Sequence, residues 1–188
     1  MSLSFDPNQN YYFFKDNKTI PLVFIHGVGL DHQMWETQIN QLSEFSILTY
    51  DLLGHGKTPL KKEKVTLKDF SDQLITILDH LKLTKINLIG FSLGSLIALD
   101  FALSFQDRLD KLILIGTTYQ RSENERSLVL DRFNLAKSNK SISKLALKRW
   151  FSDGYLEKNP STYNQFMKIL NKNPNDHQNF LKAYELFA

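Results

Sequence analysis

The segment Gly90-Phe91-Ser92-Leu93-Gly94 sets a serine between two glycines, where a short apolar run gives way to a helical pattern. A serine that attacks a carbonyl needs a hydroxyl lifted clear of the backbone, amide donors for the oxyanion it creates, and a base for its proton. A strand-turn-helix setting supplies the first two. Ser92 would sit on a strained bend, Gly90 and Gly94 would let neighbouring backbone approach, and the following helix would aim its N-terminal amides at the same point. Two other readings of the stretch compete with this one. An ordinary strand-to-helix turn with an incidental serine would look similar, whereas a phosphate-binding loop would need G-x-G-x-x-G or a G-K-[ST] ending, and neither is present.

The elements that must position Ser92 follow from hydrophobic patterning. "PLVFIHG", "SILTYD", "INLIGFS" and "KLILIGT" are nearly continuous apolar runs, which predicts strands buried on both faces of a parallel sheet. "YYFFKDNKTI" is more amphipathic and suits an edge strand or hairpin. In "VTLKDFSDQLITILDHL", Thr66 and Asp69 form a capping box. Val65 and Phe70 stand at staple spacing, and Leu67, Phe70, Leu74, Ile77, Leu78 and Leu81 make one apolar face. Asp31 caps another helix with Trp35, Ile39 and Leu42 on its inner side. Gly94, Ala98 and Ala102 recur every four residues after Ser92, a stripe of small side chains that lets the helix lie close to the sheet. Beyond Thr118 no strand is predicted. The pattern there is one of short helices broken near residues 138–141, 152–154, 159–161 and 171–176.

Two more glycine-rich ends accompany the serine: His26-Gly27-Val28-Gly29 after one strand, and Asp51 with Gly54-His55-Gly56 after another. With these three motifs in order, the chain resembles the α/β-hydrolase superfamily, in its single-domain esterase and enol-lactonase-like branch. The resemblance covers about residues 11–120 and implies an α/β fold, a mostly parallel sheet with helices on both faces. It divides the chain into a core over residues 1–120 and a helical lid or cap over 121–188. It also implies Ser92 as nucleophile, with the backbone N–H groups of Val28 and Leu93 as the oxyanion hole. His26, Gly27, Gly29, Gly90, Phe91 and Gly94 would shape the site, His26 by bracing the oxyanion loop. Asp51 and His55 would form a site wall, Asp51 coming too early to be the family's triad acid. Met34, Trp35 and Trp150 are candidates for an apolar substrate pocket, as are Leu93, Phe133, Phe151 and Tyr155, although aromatic residues at helical spacing are equally the makings of plain core.

The same family order, Ser, then Asp or Glu, then His, is incomplete here. His177 is the one histidine after Ser92, and it falls on what reads as a lid helix, where a polar surface role suits it. Glu123 or Asp131 could stand in for the usual acid but would have no suitable histidine to orient. The expectation is therefore an N-terminal part of a serine hydrolase whose last strands are absent. "KLILIGT" would then lack its next neighbour and present an apolar edge to self-association.

Composition bounds the rest. The chain has 188 residues, 42% hydrophobic and 23% charged, as expected of one globular domain. Its net charge of +3 is uneven: residues 1–120 carry 11 Lys+Arg against 13 Asp+Glu, and residues 121–188 carry 12 against 7. That excess suits a solvated helical surface, or attraction to an acidic acyl substrate. No RNA-binding or helix-turn-helix motif accompanies it, so no nucleic-acid partner is expected. The absence of cysteine excludes disulfides and thiolate metal sites, and no metal or organic cofactor is called for. Neither a leader nor an apolar run approaching about 18 residues is present, which makes the cytoplasm the default and a membrane partner unexpected. Three functional classes remain: an ester or lactone hydrolase acting through an acyl-serine, an inactive ligand-binding or interaction module on the same scaffold, and a nucleotide-binding domain without its loop.

Overall fold

The computed structural model describes residues 2–138, 143–172 and 177–188. Its strands are β1 (Ser2–Phe5), β2 (Tyr11–Lys15), β3 (Leu22–Ile25), β4 (Ile47–Tyr50), β5 (Ile86–Phe91) and β6 (Leu109–Ile115), in the sheet order β1-β2-β4-β3-β5-β6. The β4-β3-β5-β6 part is parallel and the β1-β2 hairpin joins it antiparallel. Helices α1 (Glu36–Gln41), α2 (Leu67–His80) and α3 (Leu93–Ser104) connect these strands.

Side chains alternate across the sheet, so each face builds its own core. Phe24, Ile47 and Ile89 pack with Trp35, Ile39 and Leu42 beside α1, whereas Val23, Ile25, Leu48 and Leu88 pack with Phe70, Leu74, Ile77, Ile97 and Phe101 of α2 and α3. The capping box at Thr66 and Asp69 is formed, with Val65 and Phe70 both buried in the second core. Asp31 caps a 3₁₀ turn over His32–Trp35, which leads into α1.

Two strand expectations need correcting. β2 is interior, not an edge: Ser2–Phe5 pairs with its outer side, closing a hairpin through Asp6, whose carboxylate accepts the backbone N–H groups of Asn8 and Asn10. β6 is not buried on both faces, and it presents the apolar edge that its missing neighbour implied. It lies at the open edge with β5 as its strand neighbour, leaving Leu112, Ile113 and Ile115 exposed, and Leu103 of nearby α3 is 87% exposed. An apolar run reports the demand for burial, and only the presence of neighbours decides whether that demand is met.

After β6 come α4 (Glu123–Lys137), α5 (Ser143–Trp150), α6 (Tyr155–Lys158), α7 (Pro160–Lys172) and α8 (His177–Phe187). The breaks at Ser152–Gly154 and around Asn159 fall where the polar residues stand; of those expected at 138–141 and 171–176, α4 ends with Ser138 as its C-cap, α7 runs on to Lys172, and residues 139–141 and 173–176 lie outside the described residues. Among the described residues no helix is long and apolar enough to cross a membrane.

The helices fold back over one end of the sheet. α7 meets the 3₁₀ turn, where the Gln165 amide donates to the Gln33 carbonyl at 3.3 Å. α8 buries Ala183 in the α2/α3 core and joins α4 in a separate cluster of Val129, Ala136, Phe180, Leu181 and Tyr184.

Candidate active site

β3 leads to β4 on one side, and the chain then crosses back to place β5 on the other side of β3. The carboxyl ends of β3 and β5 thus flank the point where strand order reverses, the usual location of a crevice in open α/β sheets. His26 follows β3 there and Ser92 follows β5.

Ser92 has φ 54° and ψ −116°, a region that costs a non-glycine residue about 1–3 kcal/mol. The bend is held on both sides: the Ser92 N–H donates to the Ile115 carbonyl at 2.9 Å, and the Ser95 N–H donates to the Ser92 carbonyl at 2.9 Å. The Ser95 hydroxyl donates to that carbonyl as well, at 2.5 Å. Side chains larger than hydrogen cannot flank the bend. A Cβ on Gly90 would stand 2.2 Å from the Gly94 carbonyl oxygen, and one on Gly94 would stand 2.5 Å from the Ile25 oxygen. The Ser92 side chain is partly exposed, and among the described residues nothing hydrogen-bonds its hydroxyl.

The loop after β3 lies directly against this bend. A Cβ built on Gly27 would be 3.2 Å from the Ser92 Cβ and 3.1 Å from the Phe91 ring. Val28 is partly buried between the α2/α3 core, which contains Leu93, and the α4/α8 cluster. The left-handed Gly29, with φ 78°, faces the Phe180 ring of α8 at 3.4 Å from where its Cβ would be. Residues 27, 28, 29, 91, 92 and 93 are therefore brought together.

His26 is fully buried, with both ring nitrogens engaged. Nδ1 bonds the Gly27 carbonyl at 2.8 Å, and Nε2 accepts the Leu52 N–H at 3.0 Å. This fixes a neutral ring protonated at Nδ1, and burial, with His55 alongside, pushes its pKa down to about 3. Such a ring ties the β3 loop to the β4 loop and has no lone pair left for Ser92. His55 is also buried, and burial pushes it down to about 4. Its Nδ1 meets the Leu53 carbonyl at 3.1 Å, its ring lies edge-on to His26 and Phe180, and among the described residues its Nε2 has no partner.

Asp51 accepts the His32 backbone N–H at 2.9 Å, meets His32 Nδ1 at 2.7 Å, and accepts the Lys57 N–H at 2.8 Å. Burial opposes its ionisation, but the His32 hydrogen bonds outweigh burial and hold the carboxyl below its usual range. Donor atoms of Asp31, His32 and Asp51 lie within 4.8 Å of one another, the one cation-sized grouping of its kind among the described residues. Asp31 caps the 3₁₀ turn and both Asp51 oxygens hold backbone amides, so these carboxylates tie loops together.

The pocket candidates separate. Trp35 is buried against Phe24, with Met34 and Phe91 packing on the same cluster. Trp150 instead meets Phe166 at 6.2 Å between centroids, and Phe151 stacks on Tyr155 at 5.5 Å, both within the helical segment. Phe180 reaches the β3 loop, with Tyr184 packed against it, without either having been singled out in the sequence. Their i,i+4 spacing on a final helix was the available signal.

Comparison with known proteins decides the family. The model for the alpha/beta hydrolase fold matches residues 20–148. This chain belongs to that family. It is 29% identical over all 188 residues to an (E)-2-((N-methylformamido)methylene)succinate hydrolase of Acinetobacter baylyi, covering 70% of that protein. It is 25% identical over 152 residues to 3-oxoadipate enol-lactonase 2 of the same organism, where 80% of this chain spans 57% of the relative. Among solved structures, the enol-lactonase from Burkholderia xenovorans LB400 superimposes with a TM-score of 0.82 at 22% identity, over 95% of this chain and 70% of that one. A thermophilic esterase from Thermogutta terrifontis gives 0.79 at 23%, over 99% and 70%. These two likenesses show the shared fold, and the chain is shorter than each of these relatives.

Proposed function

We propose that this chain carries the nucleophile and oxyanion hole of a serine hydrolase acting on a carboxylic ester or lactone. The observation that carries the reading is the Ser92 backbone at φ 54°, ψ −116°, a bend that lifts a hydroxyl over a helix N-terminus and against the loop holding Val28. In this reading Ser92 Oγ bonds the acyl carbon, the Val28 and Leu93 N–H groups receive the oxyanion, and the C–O bond to the leaving alcohol breaks as the alcohol takes a proton. Water then releases the acid and restores the serine. No metal or organic cofactor takes part, and residues 121–188 act as a lid over the site.

The base lies outside the described side chains. His26 has both ring nitrogens engaged, His55 is buried with its Nδ1 on the Leu53 carbonyl and its ring against His26 and Phe180, His32 bonds Asp51, and His80 is exposed at the end of α2. Of His177 the described structure gives only its place at the start of α8. Loss of a triad member costs on the order of 10⁴–10⁶ in rate, so turnover depends on that base being supplied. One relative's name, an enol-lactonase of 3-oxoadipate, supports a lactone substrate, and the other, a hydrolase of a substituted succinate, supports hydrolysis in the family at large.

Fluorophosphonate labelling of the full-length protein tests the assignment. Covalent modification at Ser92, abolished in Ser92→Ala, is expected. A folded full-length protein that stays unlabelled overturns it and favours a scaffold that binds such ligands without turnover.

A further inference from the structure

The loop that carries Val28 is open on one side and walled on the other. Val28, Phe91 and Ser92 keep partial exposure, whereas Gly29, the next residue along, is buried. A Cβ built on Gly29 would stand 3.4 Å from the Phe180 ring of α8 and 3.8 Å from the Leu170 side chain of α7. Val28 itself packs on the apolar cluster to which the buried Phe180 belongs. An acyl group leaving the Ser92 end along this loop therefore meets solvent on one side and an aromatic ring on the other.

That ring is held from behind. His55 meets it edge-on, with centroids 5.9 Å apart at 86°, and Tyr184, one turn further along α8, lies 5.6 Å away. The helix backbone is pinned on either side of Phe180. Gly54 leaves no room for a Cβ, which would stand 2.7 Å from the Asn179 carbonyl oxygen, and Ala183 is buried in the α2/α3 core. Lys182 adds a hydrogen bond to the Lys62 carbonyl at 3.2 Å. A ring packed on so many sides of a dense interior yields little to a ligand that pushes on it, so Phe180 is a fixed boundary where a solvated side chain would be a movable one.

Neighbouring Cα atoms are about 3.8 Å apart, so the boundary begins one residue beyond the amide assigned to the oxyanion. We propose that Phe180 is the end wall of the acyl pocket, so that the site admits short acyl groups and turns away long straight chains. This rests on Val28 and Leu93 receiving the oxyanion. Excess chain length has two destinations, neither favourable. Against Phe180 it overpacks a filled interior; out in water each added methylene forfeits the gain of about fourfold in affinity that burial would give it.

The test is binding calorimetry on full-length protein with unbranched methyl ketones of four, six, eight and ten carbons, carbonyl probes that cannot be hydrolysed. Affinity should rise from the four-carbon to the six-carbon ketone and then level off. Phe180→Ala should extend the rise to eight and ten carbons, by about fourfold for each methylene admitted, and leave the four-carbon ketone unchanged. Phe180→Leu, which keeps part of the α8 packing, should extend it by a smaller step and carries the test if the alanine variant unfolds. The inference is overturned if wild-type affinity climbs steadily through ten carbons, if no ketone binds below about 10 mM, or if the folded variants keep the wild-type length profile. A variant that shifts all four ketones by one factor also overturns it, since that is the mark of a merely structural residue. Binding these ketones needs no reactive serine, so the length limit and the labelling of Ser92 fail separately.

Discussion

Replacing Ser92 with glycine isolates the backbone strain on which the active-site reading depends. At φ 54° and ψ −116° the serine Cβ costs about 1–3 kcal/mol, and glycine removes that cost. Glycine also gains freedom in the unfolded chain, which offsets about 0.5–1 kcal/mol. The Ser92 hydroxyl has no hydrogen bond among the described residues, so Ser92→Ala keeps the strain and loses little else. Ser92→Gly should therefore exceed Ser92→Ala by about 1 kcal/mol, within a range of roughly 0–2.5. An unfolding entropy of about 2.1 cal/mol/K per residue over a chain of this length makes 1 kcal/mol about 2.5 °C in Tm. Scanning calorimetry of the two variants, side by side at pH 7, measures the difference. A glycine variant that melts below the alanine variant would refute a strained bend at this position.

The buried histidines make stability acid-sensitive. His26 and His55 have folded pKa values near 3 and 4 against about 6.5 unfolded, so the unfolded chain binds the extra protons between those limits. Stability should be level above about pH 6.5 and fall by up to about 1.4 kcal/mol per pH unit for each ring below it. His55→Gln should flatten the dependence of the urea midpoint between pH 7 and 5, and an unchanged slope would contradict the assignment. The β6 edge should associate: sedimentation velocity over a concentration series should show self-association that Ile113→Lys weakens about tenfold or more, since burying that 51% exposed side chain is worth about 1.5–3 kcal/mol. A wild-type chain that stays monomeric throughout removes that proposal.

Much of this protein was legible from local chemistry. Thr66 and Asp69 satisfy each other's backbone donors within one turn, and α2 begins where they stand. The apolar runs of β3, β4 and β5 place Val23, Leu48 and Leu88 in one core because strand geometry alternates faces whatever the neighbours. The local pattern was too short to single out β1, whose "SLSF" alternates polar and apolar residues over only four positions and pairs because β2 has a free side. For β6 the apolar run reported only a demand for burial, and it was the incomplete motif order that pointed to an exposed edge, since burial belongs to the layer a strand faces.

At the site, glycine spacing around residues 26–29 and 90–94 singled out the positions that must approach closely, because a missing Cβ is written in the sequence itself. What each histidine does was not. His26 is a brace because the Leu52 N–H and the Gly27 carbonyl occupy its two nitrogens, contacts that join β3 to the loop after β4. The sequence by itself determined the strand-turn-helix around Ser92, the caps and the two apolar faces, all properties of neighbouring residues. The tertiary structure alone decided which polar groups lose water together, and hence their charge, since desolvation and pairing depend on elements brought together by the fold.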